Sequence, residues 1–291
     1  MLYLVFSVCC SVLVSVLLKL APRQRLDMAQ VVTWNYLLAS VLSLVLLRPS
    51  LASLHAPHAP WLALLGLAVT LPAIFLVMAR AVTRAGIVRS DVAQRLSLLL
   101  SLLAAFLVFG ETANGWKLAG LGLGLLAIVG ITVRPRGAAA AAAPDGQRAW
   151  PWLLGVWVGY AAVDIMLKQV ALSGTPSMAA LTASFALAFV LMLGVQLWRH
   201  ASGTARLHWR NLGAGALLGL LNFGNILFYV RAHQHLPESP AVVFAGMNIG
   251  VVVLGALVGV FAFGERTSVW NRVGLGLAVV AIGLIAWGTA G

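Results

Sequence analysis

Ten stretches of mostly apolar residues, at 2–20, 30–48, 60–80, 90–109, 115–133, 151–171, 178–198, 211–231, 240–263 and 269–288, follow one another with short connections between them. A bilayer core demands about 20 such residues per helix. Backbone groups left unpaired in lipid cost several kcal/mol each, so each stretch reads as a spanning α-helix. Composition agrees: 62% of the 291 residues are hydrophobic, 9% are charged and the mean hydropathy is +0.99. That mix lies far from the usual soluble one. The expected fold is all-α and integral to a membrane, with ten transmembrane helices.

The ten stretches form two sets of five. "VFGETANGWKLAGLGLGLLAI" (108–128) and "AFGERTSVWNRVGLGLAVVAI" (262–282) align without a gap at an offset of 154. Phe109, Gly110, Glu111, Trp116, Gly120, Leu121, Gly122 and Leu123 then fall on Phe263, Gly264, Glu265, Trp270, Gly274, Leu275, Gly276 and Leu277. Such agreement means internal duplication. The Gly-, Pro- and Ala-rich "RPRGAAAAAAPDGQRAW" (134–150) has the composition of a linker. The expected organisation is a first five-helix repeat over 1–135, a linker over 136–150 and a second five-helix repeat over 151–291. An odd number of spans per repeat makes the second enter the membrane inverted relative to the first. Inverted repeats of this kind build secondary transporters, with substrate sites near the midplane.

The FGE that closes the fourth and ninth stretches, each followed by a glycine-rich helix, makes the sequence resemble the ten-helix, EamA-type members of the drug/metabolite transporter superfamily. The resemblance covers essentially the whole chain. It implies a transporter in which the fifth and tenth helices pack peripherally and both termini lie in the cytoplasm. The family spans amino-acid exporters, metabolite and sugar-phosphate exchangers and drug efflux.

Charge bounds the partners. The chain carries 19 Lys+Arg against 7 Asp+Glu, a formal net charge of +12. Most of these cations punctuate the apolar stretches, where they set orientation and touch anionic headgroups. Membrane lipids are therefore the expected partner, and nucleic acid is not. Arg23, Arg25, Arg80, Arg84, Arg89, Arg134, Arg136, Arg148, Arg199, Arg206, Arg210, Arg266 and Arg272 all lie in or beside odd-numbered connections, and the even ones have little beyond Arg48, Lys117 and Arg231. The loop-charge rule then places both termini outside, opposite to what the resemblance implies. Cys9 and Cys10 are adjacent, too close for an ordinary disulfide. The start "MLYLVFSVCC" lacks the basic region of a removable signal peptide.

Ionisable groups inside a span cost about 2.5–3.5 kcal/mol on insertion scales and normally face a cavity or a partner. Tyr160, Asp164 and Lys168 recur every four residues in the sixth stretch, on one helical face. At an offset of 149 they fall on Ser11, Ser15 and Lys19 of the first. Asp164 is the candidate for proton coupling or for holding a substrate ammonium, and Lys168 and Lys19 for attracting a carboxylate or phosphate. The other reading is an intrahelical Asp164–Lys168 ion pair, with lysines snorkelling to the interface. The fourth stretch offers Gln94 and Arg95, the latter four residues after Asp91. FGE alignment sets Asn248 of the ninth opposite Gln94. Asn222, Asn225 and Tyr229 share a face in the eighth, and Asn35 lies near the start of the second, flanked by Trp34 and Tyr36. The amides suit a cavity, and equally a clamp between helices at about 0.6 kcal/mol per contact.

Glu111 and Glu265 follow a glycine at a helix end and are expected to be structural, capping the next helix at the positive end of its dipole. Gly120 and Gly274, with Gly246 and Gly250 or Gly255 and Gly259, permit close helix packing. The six histidines fall in connections without a carboxylate cluster, so no metal site is expected. No Walker A loop, GxSxG or HExxH occurs. The chain therefore reads as neither ATPase nor hydrolase, with no cofactor and energy drawn from gradients or exchange.

These features point to a secondary transporter of a small polar or zwitterionic metabolite, amino acids or their derivatives first, in the inner (plasma) membrane. Protons are the candidate coupling ion, and the chain is expected to be a monomer or homodimer. A lipid-linked sugar flippase and a non-transporting membrane scaffold or sensor are the competing readings.

Overall fold

The computed structural model describes residues 2–55, 59–110, 114–132, 149–236 and 240–290. Among these, every regular element is helical: α1 (Leu2–Leu20), α2 (Met28–Leu42, continued by a π-helical turn Ser43–Leu47), α3 (Trp61–Ala85), α4 (Ile87–Arg95), α5 (Ser97–Leu107), α6 (Gly115–Thr132), α7 (Trp150–Leu172), α8 (Ser177–Ala201), α9 (Trp209–His235), α10 (Pro240–Leu257, continued by a π-helical turn Val258–Ala262) and α11 (Val269–Ala290). Among the described residues, nine segments are long and apolar enough to cross a bilayer, α4 and α5 counting together, and α6 is a tenth, shorter apolar helix. The all-α membrane fold is as expected.

The departures have local causes. The fourth span begins at Ile87, earlier than its apolar run, and divides at Leu96, whose carbonyl receives the indole N–H of Trp157 at 2.8 Å. A side chain inserted into the i→i−4 ladder is a usual cause of a helix break. The third span runs to Ala85 and carries Pro72 without a break. The helix before FGE ends at a left-handed glycine: φ is +62° at Gly264 and +66° at its duplicate Gly110. The Glu265 N–H reaches back to Gly259 O at 2.9 Å and that of Gly264 to Val260 O at 3.0 Å, the terminating pattern that glycine permits.

The chain forms two compact units. The first comprises Met1–Lys19, Met78–Ala161 and Gly224–Gly291. Here the duplicated helices α6 and α11 pack antiparallel, and their contacts are reciprocal. A Cβ at Gly120 would lie 3.0 Å from Ala281 O and 3.2 Å from Ile285 N, and one at Gly274 would lie 2.9 Å from both Ala127 O and Ile131 N. Ala281 and Ile285 are the 154-residue counterparts of Ala127 and Ile131. The helix starts match as well. Asn114 Oδ1 accepts from Lys117 N at 2.9 Å, and at the same offset Ser268 Oγ accepts from Asn271 N at 3.1 Å. Asn114 Nδ2 then donates to Gly288 O near the end of α11, and Asn271 Nδ2 to Gly130 O and Ile131 O at the end of α6. Each helix start thus satisfies carbonyls left open at the other's end. In the same unit Val8 and Val12 of α1 bury against Met247 and Val251 of α10. Gly246 and Gly250 admit Leu4 and Val8.

The second unit comprises Leu20–Val77 and Ala162–Phe223. Leu64 and Leu67 of α3 bury against Val163 and Val170 of α7 and Ala180 of α8. Tyr36 is fully buried between the rings of Phe75 and Phe185. Gly215 and Gly219 bring α9 against α2 at Val31 and Asn35.

Candidate functional site

One face of α1 carries Ser7, Ser11, Ser15 and Lys19, a polar residue every four. Each step finds a partner within the first unit. Ser7 Oγ lies 2.8 Å from Asn225 Oδ1 and 3.2 Å from Met247 Sδ, and Ser11 Oγ accepts from the Arg95 guanidinium at 2.8 Å. Ser15 Oγ donates to Asp91 Oδ1 at 2.7 Å. Lys19 Nζ lies 3.2 Å from Glu265 Oε1 and donates to Val82 O. The ladder arises because four-residue spacing holds side chains on one helical face. In an apolar span that face is usable only if neighbouring helices meet it with polar groups.

Arg95 also reaches Asn248 Oδ1 at 3.4 Å, while Asn248 Nδ2 bonds back to Phe244 O. Arg95 thus meets Asn248, the residue that the 154-residue offset pairs with Gln94. Gln94 is half-buried one position earlier on α4. Asp91 is buried, and its Oδ2 has no hydrogen-bond partner.

Glu265 corrects the expectation that it caps the helix after it. Its carboxylate accepts from Ile87 N at 2.7 Å and Val88 N at 3.1 Å, so it caps α4, while Ser268 serves α11. The cause lies at Gly86, whose φ of +92° turns the chain into α4. A Cβ there would come within 2.6 Å of the Glu265 carboxylate, so only glycine leaves the carboxylate its place. Glu111 lies outside the described residues.

The other predicted residues fall as follows. On α7, Tyr160 and Lys168 are half-buried and Asp164 is exposed. In the second unit Asn35 is fully buried; its Oδ1 accepts from Asn222 Nδ2 at 3.3 Å, and its own Nδ2 has no hydrogen-bond partner. Tyr229 is half-buried beside the Val8 cluster and stacks edge-on with His233. The step at Ser7, the Ser15–Asp91 bond and the indole of Trp157 escaped the sequence reading. The four-residue register of α1 was the available signal for the first two. Among the described residues no group of three or more His, Cys, Asp or Glu converges as a metal site would need.

Comparison with known proteins places the chain. The model of the EamA-like transporter family matches residues 1–133, the extent of the first five helices. An uncharacterized protein of Haemophilus influenzae is 41% identical over 286 residues, covering 96% of this chain and 95% of its own. A crystal structure sharing 17% identity aligns with a TM-score of 0.56 over 97% of this chain and 95% of that one, which speaks for the fold alone. The duplicated FGE helices, the ten apolar spans and the family match agree, and the chain is a multi-pass membrane protein belonging to the EamA-like transporter family.

Proposed function

We propose that this protein is a secondary active transporter that moves small zwitterionic metabolites, amino acids and their derivatives first, out of the cell or in exchange across its inner membrane. The observation that carries this reading is Asp164, an exposed carboxylate a few residues past the middle of α7. Charge facing hydrocarbon is costly, and in this reading the exposed side of Asp164 lines a water-filled cavity. Lys168 follows one helical turn later and Tyr160 precedes by one turn. A carboxylate and an ammonium on one face suit a substrate bearing both opposite charges.

In this reading Asp164 takes the substrate ammonium and Lys168 its carboxylate. Asn35, fully buried and bonded to Asn222, is a candidate for positioning this site. The two repeats, inverted about the α6–α11 contact, give the protein the means to expose its cavity to each face in turn. No chemical bond of the substrate changes.

A thermal-shift screen of the detergent-purified protein against amino acids, nucleosides, sugars and lipid-linked sugars tests this. A ligand at 100 times its dissociation constant stabilises the native state by about 2.7 kcal/mol. Stabilisation by zwitterions that is lost in Asp164→Asn supports the reading. Stabilisation by lipid-linked sugars alone replaces it with a flippase.

A further inference from the structure

Among the described residues of the first unit, Asp91 and Ser90 are buried with a side-chain oxygen that meets no hydrogen-bond partner, and Asp91 is the ionisable one of the two. It is 1% exposed, Ser15 Oγ serves its Oδ1 at 2.7 Å, and nothing hydrogen-bonds to Oδ2. An ionised carboxylate is purely an acceptor with about four lone-pair positions. One neutral donor leaves most of that capacity unused at a side chain closed off from the surface, which is costly. A protonated carboxyl asks for less: Oδ2 carries the hydrogen and Oδ1, the remaining carbonyl oxygen, keeps the bond from Ser15. Room beside Oδ2 is kept by Gly255, since a Cβ at that position would overlap it.

We propose that Asp91 is a reversible proton-binding site, in which Oδ2 takes and releases the proton and Ser15 holds Oδ1. The proton adds to Oδ2 as O–H, and the negative charge of the carboxylate disappears with it.

The charged neighbours are few. On α4 itself stand Arg95, four residues on, and Arg89, whose Nε is bonded to Ala85 O. α1 contributes Lys19, and the connection before α11 contributes Glu265, which are engaged with each other. α6 and α11 bring Lys117 and Arg272 in their first turns, and α10 with its π-helical turn carries no titratable side chain. Arg95 is therefore the group that feels the change most directly. Protonation of Asp91 removes the negative charge one turn before Arg95 and leaves the guanidinium more attractive to an outside anion. Resting on the transporter reading above, this makes Asp91 the group through which a proton is taken up and released during transport. The proton role expected of Asp164 then belongs to Asp91, and Asp164 is left to the substrate.

Infrared difference spectroscopy of the full chain in liposomes, titrated from alkaline to acid pH in water and in deuterium oxide, tests the proposal without any substrate. The expected result is a protonated-carboxyl C=O band that grows as pH falls, shifts in deuterium oxide, vanishes in Asp91→Asn and persists in Asp164→Asn. In Ser15→Ala, which keeps the carboxyl, the band moves to higher frequency because Oδ1 has lost its donor. A wild type without the band, a band that survives Asp91→Asn, or a band unmoved in Ser15→Ala overturns the proposal. A band behaving as expected in a protein that moves no solute overturns the transporter reading and leaves the proton site standing.

Discussion

Lys19 Nζ and Glu265 Oε1 stand 3.2 Å apart, joining the end of α1 to the connection between α10 and α11. The same carboxylate holds the first two N–H groups of α4. Three chain segments therefore meet on one side chain. Glu265→Ala leaves two helix N–H groups without an acceptor and Lys19 without its counter-charge. An orphaned buried donor costs about 1–3 kcal/mol, so the variant should unfold at clearly lower temperature than wild type in a detergent melt. Glu265→Gln retains an acceptor oxygen for the cap and should lose less.

The α6–α11 contact makes a prediction with internal controls. Gly274 faces backbone atoms at 2.9 Å that cannot move aside, whereas the nearest atom at Gly120 is the Ile285 side chain at 2.6 Å. Overpacking costs about 1–3 kcal/mol. Gly274→Ala should therefore lower the melting temperature, and more than Gly120→Ala does. Gly122 and Gly276 have open space where a Cβ would go, so Ala at either should leave the melt unchanged or raise it slightly.

Asp27 heads α2, outside the span, and gives a pH signature. Burial alone would push its carboxyl up. That effect is outweighed by the Arg199 guanidinium, at 2.8 Å, and by the N–H groups of Ala29 and Gln30, so the carboxyl is held below its ordinary value. A depressed carboxyl contributes stability that is fully present above its unfolded pKa and lost as pH falls through the folded one. Melts taken below the ordinary carboxylate range should lose stability in wild type, and the loss should be smaller in Asp27→Asn.

Asp164 is exposed, so replacing it should cost the empty protein little, within about 0.5 kcal/mol. Asp164→Asn should melt like wild type without ligand and lose the protection that a zwitterion gives. Loss of the empty protein's own stability would instead make Asp164 part of a structural ion pair with Lys168.

Much of the fold was legible because it is written in long repeated patterns. The ten apolar runs gave the helices, and the 154-residue offset paired Gly120 with Gly274, which the reciprocal packing of α6 and α11 repeats atom by atom. Ends and breaks were less legible, since the division at Leu96 depends on an indole 61 residues away. Glu265 shows the same limit at the site. A carboxylate beside a helix start looks local in sequence, yet the N–H groups it serves are 177 and 178 residues away. For Asp91 the local pattern displayed Arg95, whereas the donor on its Oδ1 comes from Ser15 on another helix. Spacing tells which side chains share a face, and only packing tells what that face meets.

The most direct test of the central claim is counterflow in proteoliposomes. Purified protein is reconstituted into vesicles loaded with a mixture of unlabelled amino acids and diluted into a trace of the labelled mixture, with no ATP present. A secondary transporter of amino acids should draw label transiently above its equilibrium level inside the vesicles, and Asp164→Asn should not. Vesicles that take up no more label than protein-free ones would contradict the account.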